Sequence, residues 1–594
     1  MKSKLCIKFY LIVIAIMLAS ILFTNCIKAQ DNDDTKRYLK NAQREDHFGI
    51  PFLYLKGTDY EVGYQYGYLL KNELKSFYDV YKKFKDGFLG KEISYLPWYT
   101  RIFANLFGSM VFNHKINGYA DRLGADVIEQ VNGASESSGL PESFFRELLV
   151  FYDLYSNRCE AIIIKKGNHT YHAHNLDQFG QLNLLSQFPM VVNYEIKGKQ
   201  KYTDFGFCGI LTPTTAFNES GISISENSNN NPFGFDKEDC TLYSEKSKLI
   251  TETHNLKEVD SIANTLKFPG GFIFTIGSAK EKQAAYYDFI GPSKAVTRVN
   301  NYQFVGNKTV SKDLGKKSET IYSGRFHEEA RVAKFNELID TSKQNMVDEL
   351  IGILSNSDFY HYSDPIPVHI ESLHNYETDQ SVIFDLADST IYFTYYSHFA
   401  AWNRWLKYNY ITHKVSVYKE ADPRLSDPFL SKLNAVYKDY EALDWRDSSN
   451  VRSVMNSIKK SQIENYFALS TLAQKYLDYY KNPEESKIYA QKLIEKYPDI
   501  VTGYFEKGRA FEKQKLYSEA VKQFQLAIES KINCELYLAQ AFEHLAISYI
   551  ALNEKEMAAE YAGKSLDIYN QYWTPEHLKA NVEKLESIKN GMLQ

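Results

Sequence analysis

A chain of 594 residues with 44% hydrophobic and 24% charged side chains is too long for one hydrophobic core and too apolar to stay disordered. Its formal charge of −5 provides no basic surface for nucleic acid or anionic membranes. Cys159, Cys208, Cys240 and Cys534, the four of six cysteines beyond residue 29, are too few and too scattered for a disulfide framework, whereas 46 tyrosines and 37 phenylalanines suit strand-rich cores and apolar pockets.

Lys2, Lys4 and Lys8 precede an apolar run from Phe9 to Phe23, and a short polar segment closes on Ala29. That pattern predicts a secretory signal peptide over residues 1–29, cut after Ala29 or Gln30. The run is shorter than the ~20 residues a spanning helix needs, so no integral membrane span is expected. A lipid anchor at Cys26 is the rival, but Phe23-Thr24-Asn25 lacks the small residue that precedes a lipidated cysteine. The mature protein is then secreted or periplasmic, and loss of Lys2, Lys4, Lys8 and Lys28 takes its formal charge to −9.

From about residue 50 the chain mixes helices and strands without regular alternation, which predicts a layered α+β domain rather than a doubly wound parallel sheet. Gly57-Thr58-Asp59-Tyr60-Glu61 reads as a helix start, with Thr58 and Glu61 forming a capping box. Gly63 and Gly67, four apart, leave one helix face bare for close packing.

The richest stretch follows. Cys159 opens the run Ala161-Ile162-Ile163-Ile164, a turn falls at Lys166-Gly167-Asn168, and Thr170 to His174 leads into Asn175-Leu176-Asp177. β-branched runs flanking a Gly-Asn turn predict a hairpin, which folds Cys159 back beside His174, Asn175 and Asp177. Such a cysteine is either a buried small hydrophobe or a nucleophile among its orienting groups.

Further on, Asn218-Glu219-Ser220-Gly221 reads as a turn between strands, Val299-Asn300-Asn301-Tyr302 as a polar strand entry, and Arg331-Val332-Ala333-Lys334-Phe335 as helical. Glu377-Thr378-Asp379-Gln380-Ser381 opens a late strand. There is no Cys-x-x-Cys, no His-Glu-x-x-His, no phosphate-binding loop and no dinucleotide fingerprint, and His172 and His174 alternate with no third ligand in reach by sequence. No metal or cofactor is expected.

Ala421-Asp422-Pro423-Arg424-Leu425-Ser426-Asp427-Pro428 breaks regular structure and places a domain joint within residues 411–462. From 463 to 594 the chain reads as helical. Tyr504, Gly508, Phe511, Ala520, Phe524 and Ala527 fall on the spacing of a tetratricopeptide repeat, and Phe542, Leu545, Ala546, Tyr549, Ala558, Ala562 and Ser565 repeat it. A degenerate first copy ends at Pro498. Such an array either binds a protein partner or a second copy of the chain, or caps the preceding domain.

The order of these segments resembles the cysteine branch of the N-terminal nucleophile hydrolases: choloylglycine hydrolases and penicillin V acylases, acid ceramidase, and the acyl-coenzyme A:6-aminopenicillanic acid acyltransferases. The resemblance spans residues 50–410, from Gly57-Thr58 through Cys159, His174-Asn175-Leu176-Asp177 and Asn218-Glu219-Ser220-Gly221 to Thr378. It implies an αββα sandwich, two antiparallel sheets between helical layers. It also implies self-cleavage between Arg158 and Cys159, whose freed α-amine becomes the base for its own thiol. On this likeness Asp177 orients the amine or thiol, Asn175 supports the loop, and Asn218 and Asn301 (or Asn300) bind the oxyanion. Arg331, or its competitor Arg325, serves the site. His174 stands where the family has arginine.

The implied substrate is a linear amide with an apolar acyl group, attacked without metal or cofactor. An acyltransferase or a phospholipase-B-like esterase on the same fold is the alternative. A degenerate secreted binding protein, working through its repeats, is the reading from another class.

Overall fold

The computed structural model describes residues 35–94, 118–154, 158–178, 187–229, 241–268, 270–291, 293–311, 314, 325–363, 372–396, 398–441, 448–572, 574 and 576–591. The signal-peptide segment 1–29 lies outside the described residues.

Two sheets form the first unit. One runs β1 (Gln43–His47), β2 (Ile50–Gly57), β5 (Pro189–Ile196), β6 (Tyr202–Phe207), β7 (Ala216–Asn218), β8 (Ile222–Asn229), β9 (Gly271–Ser278), β10 (Gln283–Ile290), β11 (Ser293–Arg298). The other runs β12 (Tyr302–Val305), β3 (Arg158–Lys166), β4 (His169–Asp177), β13 (Thr378–Asp385), β14 (Thr390–Tyr395), β15 (Trp405–Asn409), β16 (Val415–Lys419). Neighbouring strands are antiparallel except β2 and β5, whose parallel pairing needs a long connection, here one that carries helices and the β3–β4 hairpin of the other sheet.

The sheets meet face to face through aromatic rings, with Phe205 of β6 packed against Phe384, Phe393 and Tyr408 of the second sheet. Helices α1 (Asp59–Leu69), α2 (Lys71–Ser94), α3 (Ala125–Ser138), α4 (Glu142–Leu154), α5 (Leu242–Glu252) and α6 (Leu256–Ala263) bury Val62, Tyr66, Val131, Phe145, Leu249 and Val259 against the first sheet. Helices α7 (Arg325–Leu338) and α8 (Met346–Leu354) cover the far face of the second, where Phe335, Leu350 and Leu354 meet Ile162, Ala173 and Ile383. The order of layers is αββα, as the resemblance implied.

The capping box of Thr58 and Glu61 opens α1. A Cβ on Gly63 would overlap the backbone of Gln130, and one on Gly67 the backbone of Ala134, so both glycines serve the α1–α3 crossing.

The segment expected to be a joint holds more structure than a linker. β16 extends the second sheet to Lys419, and the break narrows to residues 420–427. Helices α9 (Pro428–Glu441) and α10 (Ser448–Ser461) then form a hairpin of their own. Behind them stand three further helix pairs: α11 (Tyr466–Asp478) with α12 (Pro483–Lys496), α13 (Val501–Lys513) with α14 (Tyr517–Glu529), and α15 (Glu535–Ala551) with α16 (Lys555–Tyr569). Helix α17 (Glu576–Lys589) closes the array, and Ala520, Phe524, Ala546 and Ala558 are buried between pairs. A side chain at Gly508 would strike the Phe524 ring, which explains the glycine where α13 crosses α14. Among the described residues no helix is long and apolar enough to cross a membrane.

Candidate active site

The β3–β4 hairpin turns at Gly167-Asn168, with Gly167 at φ +58°, and pairs Arg158 with Asp177 and Cys159 with Leu176. Alternation along the two strands then divides their side chains. His172 and His174, on the row of Cys159, face β8: the His172 ring contacts Ser223 and Ser225 Oγ, each at 2.8 Å, and His174 Nε2 donates to the Glu226 carbonyl at 3.1 Å. Glu160, Asn175 and Asp177 face the α7–α8 layer. Asn175 Nδ2 donates to Glu160 and to the carbonyls of Leu354 and Leu373.

Cys159 has 0% exposure, and its main chain is engaged on both sides. Its N–H donates to Asn307 Oδ1 at 3.0 Å. Its carbonyl accepts from Asn227 Nδ2 at 3.2 Å and from Arg331 Nη1 at 3.3 Å. Arg331 also reaches Glu160 at 3.0 Å, Asn307 Oδ1 at 2.8 Å, Glu328, and Asp177 at 3.9 Å. Asp177 accepts from Thr378 Oγ1 at 2.7 Å and Asn375 Nδ2 at 2.9 Å.

Burial sets the protonation of these groups. It pushes the Cys159 thiol well above its ordinary range, and the charges of Glu226 and Asp177 add to that. Asp177 is raised to about 7 by burial, against the pull of Arg331, Thr378 and Asn375. Burial also raises Glu160, with Asp177 adding and Arg331 opposing. It works against the charge on Arg331, but Glu328, Glu160 and Asp177 outweigh it and hold the guanidinium charged. His174 is lowered to about 3 by burial and by the charge of Lys246, so its imidazole is neutral. Lys246 itself pairs with Glu226 in the interior.

Of the residues chosen from sequence, the fold brings Cys159, Asn175, Asp177, His174 and Arg331 to one place. Arg325 opens α7, but its side chain lies outside the described residues. Asn218 and Asn301 stand elsewhere. Asn218 closes the β7–β8 turn: both its amide hydrogens go to the carbonyls of Ile250 and Thr253, and its oxygen accepts from Ser220 and Ile222. Asn301 is exposed, and its carbonyl accepts from Lys165, six residues along β3 from Cys159, or ~20 Å. Asn300, its neighbour, lies at that same far end of β3.

Two other asparagines occupy the neighbourhood intended for them. Asn227 stands at the end of β8 on the same row as Ser223 and Ser225, and Asn307 follows β12 at the end level with Cys159, since Val305 pairs with Ala161. Counting along the paired strands points to both; turn motifs do not.

His174 clamps the peptide of Glu226, beside Asn227, as a neutral hydrogen-bond donor. His174→Leu should cost about 1–3 kcal/mol in denaturant unfolding by orphaning that buried carbonyl, while His174→Gln, which keeps an N–H, stays near the parent. A loss of substrate affinity with stability untouched would return His174 to the substrate side.

Among the described residues one set has metal-ligand spacing, His169 with Asp385 and Asp388. It sits at the turn end of the hairpin, where His169 pairs with Lys166, away from Cys159.

No family model matches the chain, and no curated protein does. Solved structures resemble parts of it, among them the following three. The Caenorhabditis elegans ortholog of N-acylethanolamine-hydrolyzing acid amidase is 14% identical and covers 39% of this chain and 93% of its own, at TM-score 0.29. A mutant of conjugated bile acid hydrolase from Clostridium perfringens is 11% identical over 44% of this chain and 96% of its own, at TM-score 0.27. The N-terminal domain of stress-induced protein-1 from C. elegans is 22% identical over 20% of this chain and 93% of its own, at TM-score 0.17.

Proposed function

We propose that Cys159 is the nucleophile of a cysteine amidohydrolase that cuts its own Arg158–Cys159 bond and then hydrolyses a linear amide of an N-acyl substrate. One observation carries this reading. The imidazole nearest by register, His174, gives Nε2 to a carbonyl, and its Nδ1 makes no hydrogen bond, so among the described residues it is not a base paired with the thiol. The Cys159 nitrogen, by contrast, is held by Asn307 Oδ1, which also accepts from Arg331, and Arg331 in turn lies 3.9 Å from Asp177. An α-amine at that nitrogen, ordinarily titrating at ~8, is the proton acceptor this geometry supports.

In self-cleavage the thiol sulfur attacks the Arg158 carbonyl carbon, the C–N bond breaks, and the thiol proton passes to the Cys159 nitrogen. Water then splits the thioester, leaving a carboxylate on Arg158 and a free amine on Cys159. In turnover that amine takes the thiol proton, the thiolate attacks the substrate amide, and the proton leaves on the departing amine. Water releases the acyl group; an acceptor amine in its place would make the product of a transfer. Asn227 is the amide donor aimed at this end of β3 and takes the place assigned above to Asn218.

The aromatic interior supports an apolar acyl group, and residues 1–29 support export. The test is a panel of N-acyl amides, esters and thioesters with and without amine acceptors. Turnover that survives Cys159→Ala would end this reading. Asp177, raised to about 7, is ionised only above that pH, so turnover should rise with pH through 7. Asp177→Asn should abolish that limb.

A further inference from the structure

We infer that the helical array is a positioning domain for the Cys159 site, and that the partner of its docking edge is this chain's own αββα unit. Two buried contacts join them. Phe359 packs on Tyr466 with ring centroids 4.5 Å apart and sits within the repeat core with Tyr497 and Ile500, while Tyr362 and His361 both reach Asp499. Ala330 of α7 lies in that same core. Separately, Tyr376, Phe399 and Trp402 pack among Leu430, Leu433, Val454 and Phe467 of α9, α10 and α11.

Three of the docking residues lie one to five positions from a residue that holds the site. Ala330 precedes Arg331, which reaches the Cys159 carbonyl and Glu160. Tyr376 sits between Asn375 and Glu377-Thr378, and Asn375 and Thr378 supply both side-chain hydrogen bonds to Asp177. Phe359 ends the stretch from Leu354, whose carbonyl, with that of Leu373, anchors Asn175. The two stretches are stitched together, Ser372 Oγ donating to the Ser357 carbonyl and Trp402 Nε1 to that of Ser355. Three routes thus run from the repeats to Arg331, Asp177 and Asn175. The side-chain hydrogen bonds described for these three all go to residues of the αββα unit, so the array acts on the site by fixing the backbone that carries them.

The effect on rate rests on Cys159 being the nucleophile; the effect on geometry does not. The experiment therefore reads both, on the full-length chain. Backbone hydrogen exchange is measured in a Cys159→Ala background, and self-cleavage and the pH limb of turnover in the parent background. Tyr376→Ala and Phe359→Ala remove docking contacts, Tyr376→Phe keeps the ring, and Tyr549→Ala loosens α15 within the array, away from the docking edge. Phe359→Ala decides the matter if Tyr376→Ala does not fold.

The docking variants should raise exchange tenfold or more over 325–338 and 372–378 and slow self-cleavage about as much. With the Thr378 and Asn375 bonds weakened, the pH limb moves upward. Tyr549→Ala should match the parent in those segments, and Tyr376→Phe, which keeps the packed ring, should raise exchange less than Tyr376→Ala. Faster exchange in α11 and α12 with 325–338 and 372–378 still protected would overturn the proposal. A parent that never cuts itself, yet shows these exchange changes, would refute the nucleophile reading and support the positioning role.

Discussion

The mature chain should isolate as two pieces, residues 30–158 and 159–594, which take about 15 and 50 kDa of the 68.7 kDa total for 594 residues. Cys159→Ala should remain a single chain. The pieces are expected to elute together, because the smaller one is not a separate domain. It carries β1, β2 and α1 through α4, and β2 pairs with β5 from Phe52–Val191 to Gly57–Ile196. Its Phe52, Leu53, Val62 and Val131 are buried in the same cluster as Val191, Phe205 and Phe393 of the larger piece. Burying that much apolar surface holds a cut chain together as it held the intact one. Mass analysis of the native and denatured protein checks both statements. An uncut parent would leave Cys159 without its amine, and a cut protein that falls apart on a sizing column would contradict the sheet order.

What could be read from sequence, and what could not, follows from how far apart the deciding residues lie. The β3–β4 hairpin was legible because its turn, its β-branched runs and its register are all local, so Cys159 and Asp177 were placed together without knowledge of the rest. The helix pairs were legible because small residues such as Gly508, Ala520 and Ala527 recur at helical spacing. Asn218 misled because an Asn-Glu-Ser-Gly turn is a strong local signal whatever its surroundings. Asn227 was hidden by the opposite circumstance: Ser223, Ser225 and Asn227 look like a solvated strand face, and only the second sheet packing over them makes that face interior. Asn301 and Asn307 bracket the same short strand, and the antiparallel pairing of β12 with β3 decides which end meets Cys159. The docking of Phe359 and Tyr376 on the helical array joins residues more than fifty apart, and no local pattern announces it.

Removing Arg331 should be the most damaging substitution that leaves the nucleophile intact. Its guanidinium is fully buried and links α7 to Cys159, Glu160 and Asn307 at once, while pairing with Glu328 on its own helix. Taking one partner out of a buried ionic cluster costs about 3–5 kcal/mol, because the carboxylates left behind keep their desolvation without their counter-charge. Arg331→Leu should therefore lower unfolding stability by that order and abolish self-cleavage. Arg331→Lys should fare little better: one ammonium cannot reproduce two nitrogens that contact Glu160 on one side and Asn307 with Glu328 on the other. Pairing Arg331→Leu with Glu160→Gln should recover part of the stability, since the second change removes a charge that the first left unpaired. It should not recover cleavage, because the Cys159 carbonyl still lacks its Arg331 donor. Denaturant unfolding of the two single variants and the double variant measures the coupling. A cost below about 1 kcal/mol for Arg331→Leu would mean that Glu160 and Asp177 are neutral in the fold and that Arg331 holds position rather than charge.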